Sequence, residues 1–173
     1  MTSSEGAKRP SAAVSFRYEP AADDRQRVRE IVESTGFFSP AEVDVAVELV
    51  DERLAKGEAS GYYFVFAELD GRTVGYSCYG PIPATAASYD LYWIAVDREF
   101  QGRNYGRILL EESERLIGAA GGRRVYIDTS SRPQYQPTRA FYEHFQFRLE
   151  VVLEDFYAPG DGKAIYVKVL SGA

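Results

Sequence analysis

Residues 93–116 read WIAVDREFQGRNYGRILLEESERL. Trp93 to Val96 is an apolar run with strand character, and QGRNYG, residues 101–106, has turn character. From Arg107 onward, leucines alternate with glutamates at the period of an amphipathic helix. A strand that passes through such a turn into a helix leaves the first helical amides unpaired, at the positive end of the helix dipole. Gly102 and Gly106 allow a ligand to approach the backbone closely. Arg103 and Arg107, with Arg98 just before them, add donors suited to phosphate oxygens. These arginines are opposed only by Asp97 and Glu99, on a chain whose formal net charge is −6. That concentration of positive charge has a reason if the turn holds a polyphosphorylated ligand.

The type of ligand narrows by exclusion. A Walker A loop needs a Lys-Ser/Thr pair after its last glycine, and here Arg107-Ile108 follows. A dinucleotide fingerprint needs its glycines after an early strand and an acid at the end of the next strand, and neither is present. Taken alone, the two glycines also suit a plain tight turn.

Outward from this turn, SYDLYWIAV reads as a strand with Asp90, Tyr92, Ile94 and Val96 on one face and Leu91, Trp93 and Ala95 on the other. YYFVFAEL and TVGYSCYG flank Asp70, Gly71 and Arg72, a hairpin signal. SPAEVDVAVELVDERLAKG carries an N-cap at Ser39, a first-turn Pro40 and a stripe of Val43, Val47, Val50 and Leu54 before Gly57. The preceding AADDRQRVREIVESTGFF sets Val28, Ile31 and Val32 on one helical side, and VSFRYEP alternates as a strand. Downstream, RRVYIDTS is a strand and PTRAFYEHFQF a short amphipathic helix. LEVVLEDFY and KAIYVKVL are strands joined by the turn APGDG. The order β-α-α-β-β-β-α-β-α-β-β predicts one α/β domain of the mixed α+β kind over residues 14–170, behind a flexible tail at 1–13.

Composition excludes several functions. Acids outnumber Lys plus Arg by 26 to 20, which argues against nucleic-acid or anionic-membrane partners and suits a cationic one. A single cysteine, Cys78, forms no internal disulfide framework and supplies too few ligands for a cysteine-based zinc site. No apolar leader or spanning run is visible, so a cytoplasmic, soluble protein is expected. Cys78 reads as a core residue, and His144, between Glu143 and Phe145, as a surface or helix-packing residue.

AVDREFQGRNYGRILLEESE resembles motif A of the GNAT acyltransferase superfamily, Gln/Arg-x-x-Gly-x-Gly/Ala, which grips the pyrophosphate of acetyl-CoA. Gln101 and Gly106 match its first and last positions. Asn104 stands where the first motif glycine usually is, and asparagine tolerates left-handed backbone better than most residues. SRPQYQPTRAFYEHFQF resembles the second signature of the family: Tyr142 falls on its tyrosine, Tyr135 replaces the frequent asparagine and Gln146 the usual glycine. The likeness in element order runs from Val14 to Leu170, and its specific motifs lie in the middle third of the chain. It implies a GNAT-like fold, a central mixed and mostly antiparallel sheet of about seven strands flanked by about four helices, with the fourth and fifth strands splayed.

The resemblance further implies an N-acetyltransferase that uses acetyl-CoA as cosubstrate and needs no metal. The pantetheine arm would pair with the backbone of Ile94, Ala95 and Val96. The amides of Gly102, Arg103, Asn104, Tyr105, Gly106 and Arg107 would surround the pyrophosphate, with Gln101 and Tyr135 completing the set. Tyr142 would donate its hydroxyl proton to the departing sulfur; the alternative is aromatic packing beside Phe141 and Phe145. A lysine-like amine of pKa ~10.4 is neutral in roughly one molecule per few thousand at pH 7, so a proton acceptor is useful. Asp90 or Asp128 would serve, given desolvation or a water relay; either is equally readable as a strand-end acid that orients a cation or pairs with an arginine. Phe37, Phe38, Tyr92, Phe156 and Tyr157 are the expected acceptor wall, with Glu33, Asp155 or Asp161 available for a cation. The implied acceptor is a primary amine, first of a small cationic molecule, with a protein N-terminus or lysine as the alternative. A non-catalytic acyl-CoA sensor and a nucleotide-phosphate binder are the competing readings. An unpaired sheet edge would make a homodimer unsurprising.

Overall fold

A computed structural model of the chain describes residues 13–171; of the expected tail, residues 1–12 lie outside the described residues. The strands are β1 (Ser15–Arg17), β2 (Tyr63–Leu69), β3 (Arg72–Pro81), β4 (Ser88–Val96), β5 (Arg124–Ser130), β6 (Arg148–Ala158) and β7 (Asp161–Val169). The helices are α1 (Asp24–Ser34), α2 (Pro40–Lys56), α3 (Tyr105–Ala119) and α4 (Gln136–His144). One seven-stranded sheet in the order β1-β2-β3-β4-β5-β7-β6 carries them, and every pairing is antiparallel except β4 with β5. This is the GNAT-like architecture expected from the sequence.

Local chemistry accounts for the element ends. Ser39 caps α2 in a reciprocal box, its Oγ accepting from the amide of Glu42 while the Glu42 carboxylate accepts from the amide of Ser39. Asp70 and Gly71 both take positive φ, at 51° and 78°, which gives the hairpin turn the twist its strands require. Two apolar layers sandwich the sheet. Val28, Ile31, Val43 and Val50 of α1 and α2 bury Phe64, Phe66 and Tyr76 on one face; Leu109, Leu110, Ile117 and Tyr142 of α3 and α4 bury Val65, Val74 and Ile127 on the other. Cys78 is fully buried in the first layer. His144 is exposed, its ring against Phe145.

The expected alternation along β4 fails at one residue. Opposite β3, Trp93 pairs with Cys78 but Leu91 pairs with Tyr79, so Tyr92 is an extra residue in a bulge. Leu91 therefore shares the α3 side with Ile94 and Val96, while Trp93 and Ala95 stay on the α1–α2 side. Beyond the bulge, β4 also loses its other neighbour. It pairs with β5 only from Ser88 to Asp90, against Arg124 to Tyr126, although β4 runs on to Val96 and β5 to Ser130. The two strands splay. The edge strands of the sheet are β1 and β6, and all residues of β6 are exposed.

Candidate active site

The splay opens a cavity of about 600 Å³ between the C-terminal halves of β4 and β5. Tyr142 reaches it from the α3–α4 face, and Phe38 and Trp93 from the α1–α2 face. Two segments far apart in sequence close it: the α1–α2 connection, through Thr35, Phe37 and Phe38, and the β6–β7 hairpin, through Tyr157 and Asp161.

At the end of β4 the chain enters the glycine–arginine turn. Gly102 and Asn104 sit in the left-handed region at φ 74° and 68°. Nothing lies within 4 Å of where a Cβ on Gly102 would stand, so this glycine answers to backbone conformation rather than to crowding. Asn104 takes the N-cap position of α3 without spending its side chain on a cap. Its carbonyl accepts from Ile108, but among the described residues the amides of Gly102, Arg103, Asn104, Tyr105, Gly106 and Arg107 have no acceptor. Six successive free N–H groups at a helix start have the chemistry of an anion cradle. Gly106 faces α4, where an added Cβ would lie 3.5 Å from the Phe141 ring.

The acids beside the cradle do not neutralise it. Asp97 is held by Arg27 at 2.6 Å, and Glu99 by Arg72 at 3.0 Å. Arg103 stacks over Phe100 at 5.5 Å, and Arg107 makes an exposed pair with Glu111 at 3.4 Å. The side-chain amide of Gln101 donates to the carbonyl of Val96 at 3.1 Å and so ties the turn to the strand end. Tyr135, on the short turn before α4, donates to the carbonyl of Phe37 at 3.4 Å.

The Tyr142 ring packs against Phe147 and Tyr166, while its hydroxyl has no partner among the described residues and borders the cavity. Burial pushes its pKa well above the usual tyrosine value, so it stays protonated across the working range. Asp128 lines the cavity and pairs with Lys163 at 2.6 Å, an interaction that raises the lysine pKa. Asp90 is not among the residues that line the cavity. Burial, aided by the negative charge of Asp128 and opposed by Lys163, pushes its pKa up to about 6.

Of the expected acceptor wall, Phe37, Phe38, Tyr92 and Tyr157 line the cavity. Phe156 does not, and packs edge-on against Tyr157 under Lys163. The acids expected to be available for a cation are engaged or elsewhere. Asp161 is bonded to Ser130 and paired with Arg132 at 3.1 Å, Asp155 accepts from the amide of Gly160 at 2.7 Å, and Glu33 faces a separate cleft beside Arg98. Sequence reasoning missed Trp93 and Arg132 as lining residues and Lys163 as the partner of Asp128, because each depends on which strands become neighbours. Among the described residues no group of three or more His, Cys, Asp or Glu is placed to hold a metal ion, and no helix is long and apolar enough to cross a membrane.

Residues 25–147 match the family model described as the acetyltransferase (GNAT) family. No curated protein sequence matches significantly. Among solved structures, a GNAT-family protein from Desulfovibrio desulfuricans is 51% identical, covering 91% of this chain and 99% of its own, with a TM-score of 0.89. An aminoglycoside 6'-N-acetyltransferase complexed with coenzyme A is 14% identical, with coverage of 93% and 98% and a TM-score of 0.72. The ribosomal-protein-S18-alanine N-acetyltransferase from Escherichia coli is 16% identical, with coverage of 93% and 96% and a TM-score of 0.71. The last two share the fold.

Proposed function

The chain belongs to the GNAT acetyltransferase family, and on that premise we propose that it moves an acetyl group from acetyl-CoA to a primary amine by direct attack in a ternary complex. One observation carries the reading: six unpaired amides, Gly102 to Arg107, lie where β4 ends beside a cavity that the free hydroxyl of Tyr142 borders. The residues present fit the donor. The cradle has the charge and the open amides for a diphosphate, and the unpaired edge of β4 at Ile94, Ala95 and Val96 offers main-chain partners to an extended amide-bearing arm. Gln101 holds the end of that edge, and Tyr135 holds the α1–α2 connection.

Acetyl-CoA supplies a thioester whose C–S bond breaks as the amine nitrogen bonds to the acetyl carbon. Tyr142 donates its proton to the departing sulfur and regains one from the proton that the attacking nitrogen sheds as it becomes an amide. The amine must first lose a proton, a cost of about 4.6 kcal/mol at pH 7 for a pKa of ~10.4. Asp128 lines the cavity with its charge already shared with Lys163, and Asp90, whose pKa the charge of Asp128 helps to raise, has a pKa near that of a useful base. The two carboxylates together take the proton through water, Asp128 at the cavity surface and Asp90 with the carboxyl that burial makes more basic than usual.

Titration calorimetry with acetyl-CoA, followed by thiol release with a panel of amines and peptides, tests this. Binding with release supports it. Tight binding without release for any acceptor supports an acyl-CoA sensor, and competition by ATP a general phosphate binder.

A further inference from the structure

The acceptor half of the cavity is built from aromatic surfaces and matched charges. Phe38 lies 5.0 Å from Trp93, centroid to centroid, Phe37 lies 6.0 Å from Tyr135, and Tyr92 sits edge-on against Tyr62 at 5.3 Å. Trp93 presents its ring to the cavity while its Nε1 is buried without an acceptor, so the indole contributes a π-face and edge there rather than a donor. The lining carboxylates each have a partner. Asp128 holds Lys163, Asp161 holds Ser130 and Arg132, and Glu42 accepts from the amide of Ser39 at the start of α2.

A polycationic acceptor needs carboxylates for its several ammonium groups, and taking them here would strip partners from Lys163 and Arg132. An ammonium on an apolar body needs only aromatic faces for the cation and apolar contact for the rest. The volume agrees, because about 600 Å³ must also hold the acyl end of the donor, which leaves space for a small body. Resting on the transferase reading above, we propose that the acceptor is a primary amine on a flat aromatic or apolar body that carries a single positive charge.

The test uses the purified full chain with acetyl-CoA and measures kcat/KM by thiol release for 2-phenylethylamine, spermidine, kanamycin and an alanine-led peptide. The expected result is a preference for 2-phenylethylamine of about tenfold or more over each of the others. Phe38→Ala should then lower kcat/KM for 2-phenylethylamine about tenfold, a larger factor than for spermidine, with the affinity for acetyl-CoA kept. Higher kcat/KM for spermidine, kanamycin or the peptide overturns the proposal and leaves the transferase reading intact. A preferred 2-phenylethylamine whose turnover Phe38→Ala does not touch overturns the aromatic wall as its cause. Acetyl-CoA bound with thiol release for none of the four overturns the transferase reading, and this one with it.

Discussion

Arg27 of α1 donates from Nη2 to Oδ2 of Asp97 at 2.6 Å, across 70 positions of sequence, and so joins the first helix to the residue that follows Val96. The same guanidinium donates twice to the carbonyl of Thr73, at 2.9 and 2.7 Å. Asp97 in turn accepts from the amide of Glu99 at 3.0 Å and starts the turn that leads to the cradle. The position of the six free amides therefore depends on a helix that makes no part of the cradle.

Arg27→Met should expose that dependence. Removing this partner leaves a largely buried carboxylate with only the longer contact to Arg72 at 3.5 Å and the amide of Glu99, so a loss of up to about 3 kcal/mol in unfolding free energy is expected. Burial alone would raise the pKa of Asp97; the hydrogen bonds from Arg27 and from the amide of Glu99 outweigh it and hold the pKa below the usual carboxylate value. With the folded-state pKa depressed, the wild-type pair contributes its stability above the ordinary aspartate range and loses it as pH falls through the folded value. The difference in Tm between wild type and variant should thus be full at pH 7 and shrink below pH ~4. KM for acetyl-CoA should rise several-fold. KM for S-acetylpantetheine, which has no diphosphate, should move less; equal changes for both donors would mean that the pair supports the fold without aiming the cradle.

Tyr142→Phe separates chemistry from packing. The ring sits among Phe147, Tyr166 and Phe141, and phenylalanine fills the same space, so Tm should hold. A thiol of pKa ~8.5 leaves fairly easily unaided. The loss in kcat should therefore be about tenfold to a hundredfold, the lower part of the range for a general acid, with the dissociation constant of acetyl-CoA unchanged. An unaltered kcat with a good acceptor returns Tyr142 to the role of a core aromatic.

What the sequence could disclose divides along physical lines. Features set by near neighbours in the chain were readable: the Asp70-Gly71 turn, the Ser39 and Glu42 box, the helix that follows the glycine–arginine turn, and the left-handed backbone that Asn104 accommodates. The β4 alternation was misread at Tyr92 because a bulge belongs to the pairing of two strands, and the register against Cys78 and Tyr79 cannot be seen in one of them. The acids were identified as residues but not as states. Asp161 looked free for a cation, and Asp128 was readable as a base, an orienting acid or the partner of an arginine, until the fold brought Arg132 and Lys163 beside them. The aromatic wall was partly legible from composition, yet Trp93 joins it only because β5 diverges from β4 after Asp90.

Asp90→Asn is expected to change both the pH profile and the stability. A base must be deprotonated, so wild-type kcat/KM should rise with pH through about 6, the value set by burial and by Asp128. That limb should vanish in the variant, and turnover at pH 7 to 8 should fall. The sign for stability is opposite to that of Asp97. A carboxyl whose pKa is raised on folding is favoured while protonated, so wild type loses stability as pH rises through the interval between the unfolded value and about 6. The neutral amide escapes that loss, and Asp90→Asn should melt higher than wild type at pH 8. A lower melting point with an unchanged pH limb would assign Asp90 to the strand end and leave the proton to Asp128 alone.

Asn104 tests the cradle from the side of the backbone. At φ 68° an alanine pays the left-handed penalty of about 1–2 kcal/mol, whereas a glycine pays almost none. Asn104→Ala should therefore lower Tm and weaken acetyl-CoA binding, since relaxing this residue toward negative φ re-aims the amides on either side of it. Asn104→Gly should keep the affinity of wild type, because the side chain makes no cap bond that would be lost. Calorimetric titration of the three proteins with acetyl-CoA decides the matter: an alanine variant that binds as tightly as the glycine one would show that the diphosphate is held by the arginines of the turn, Arg103 and Arg107, and not by its amides.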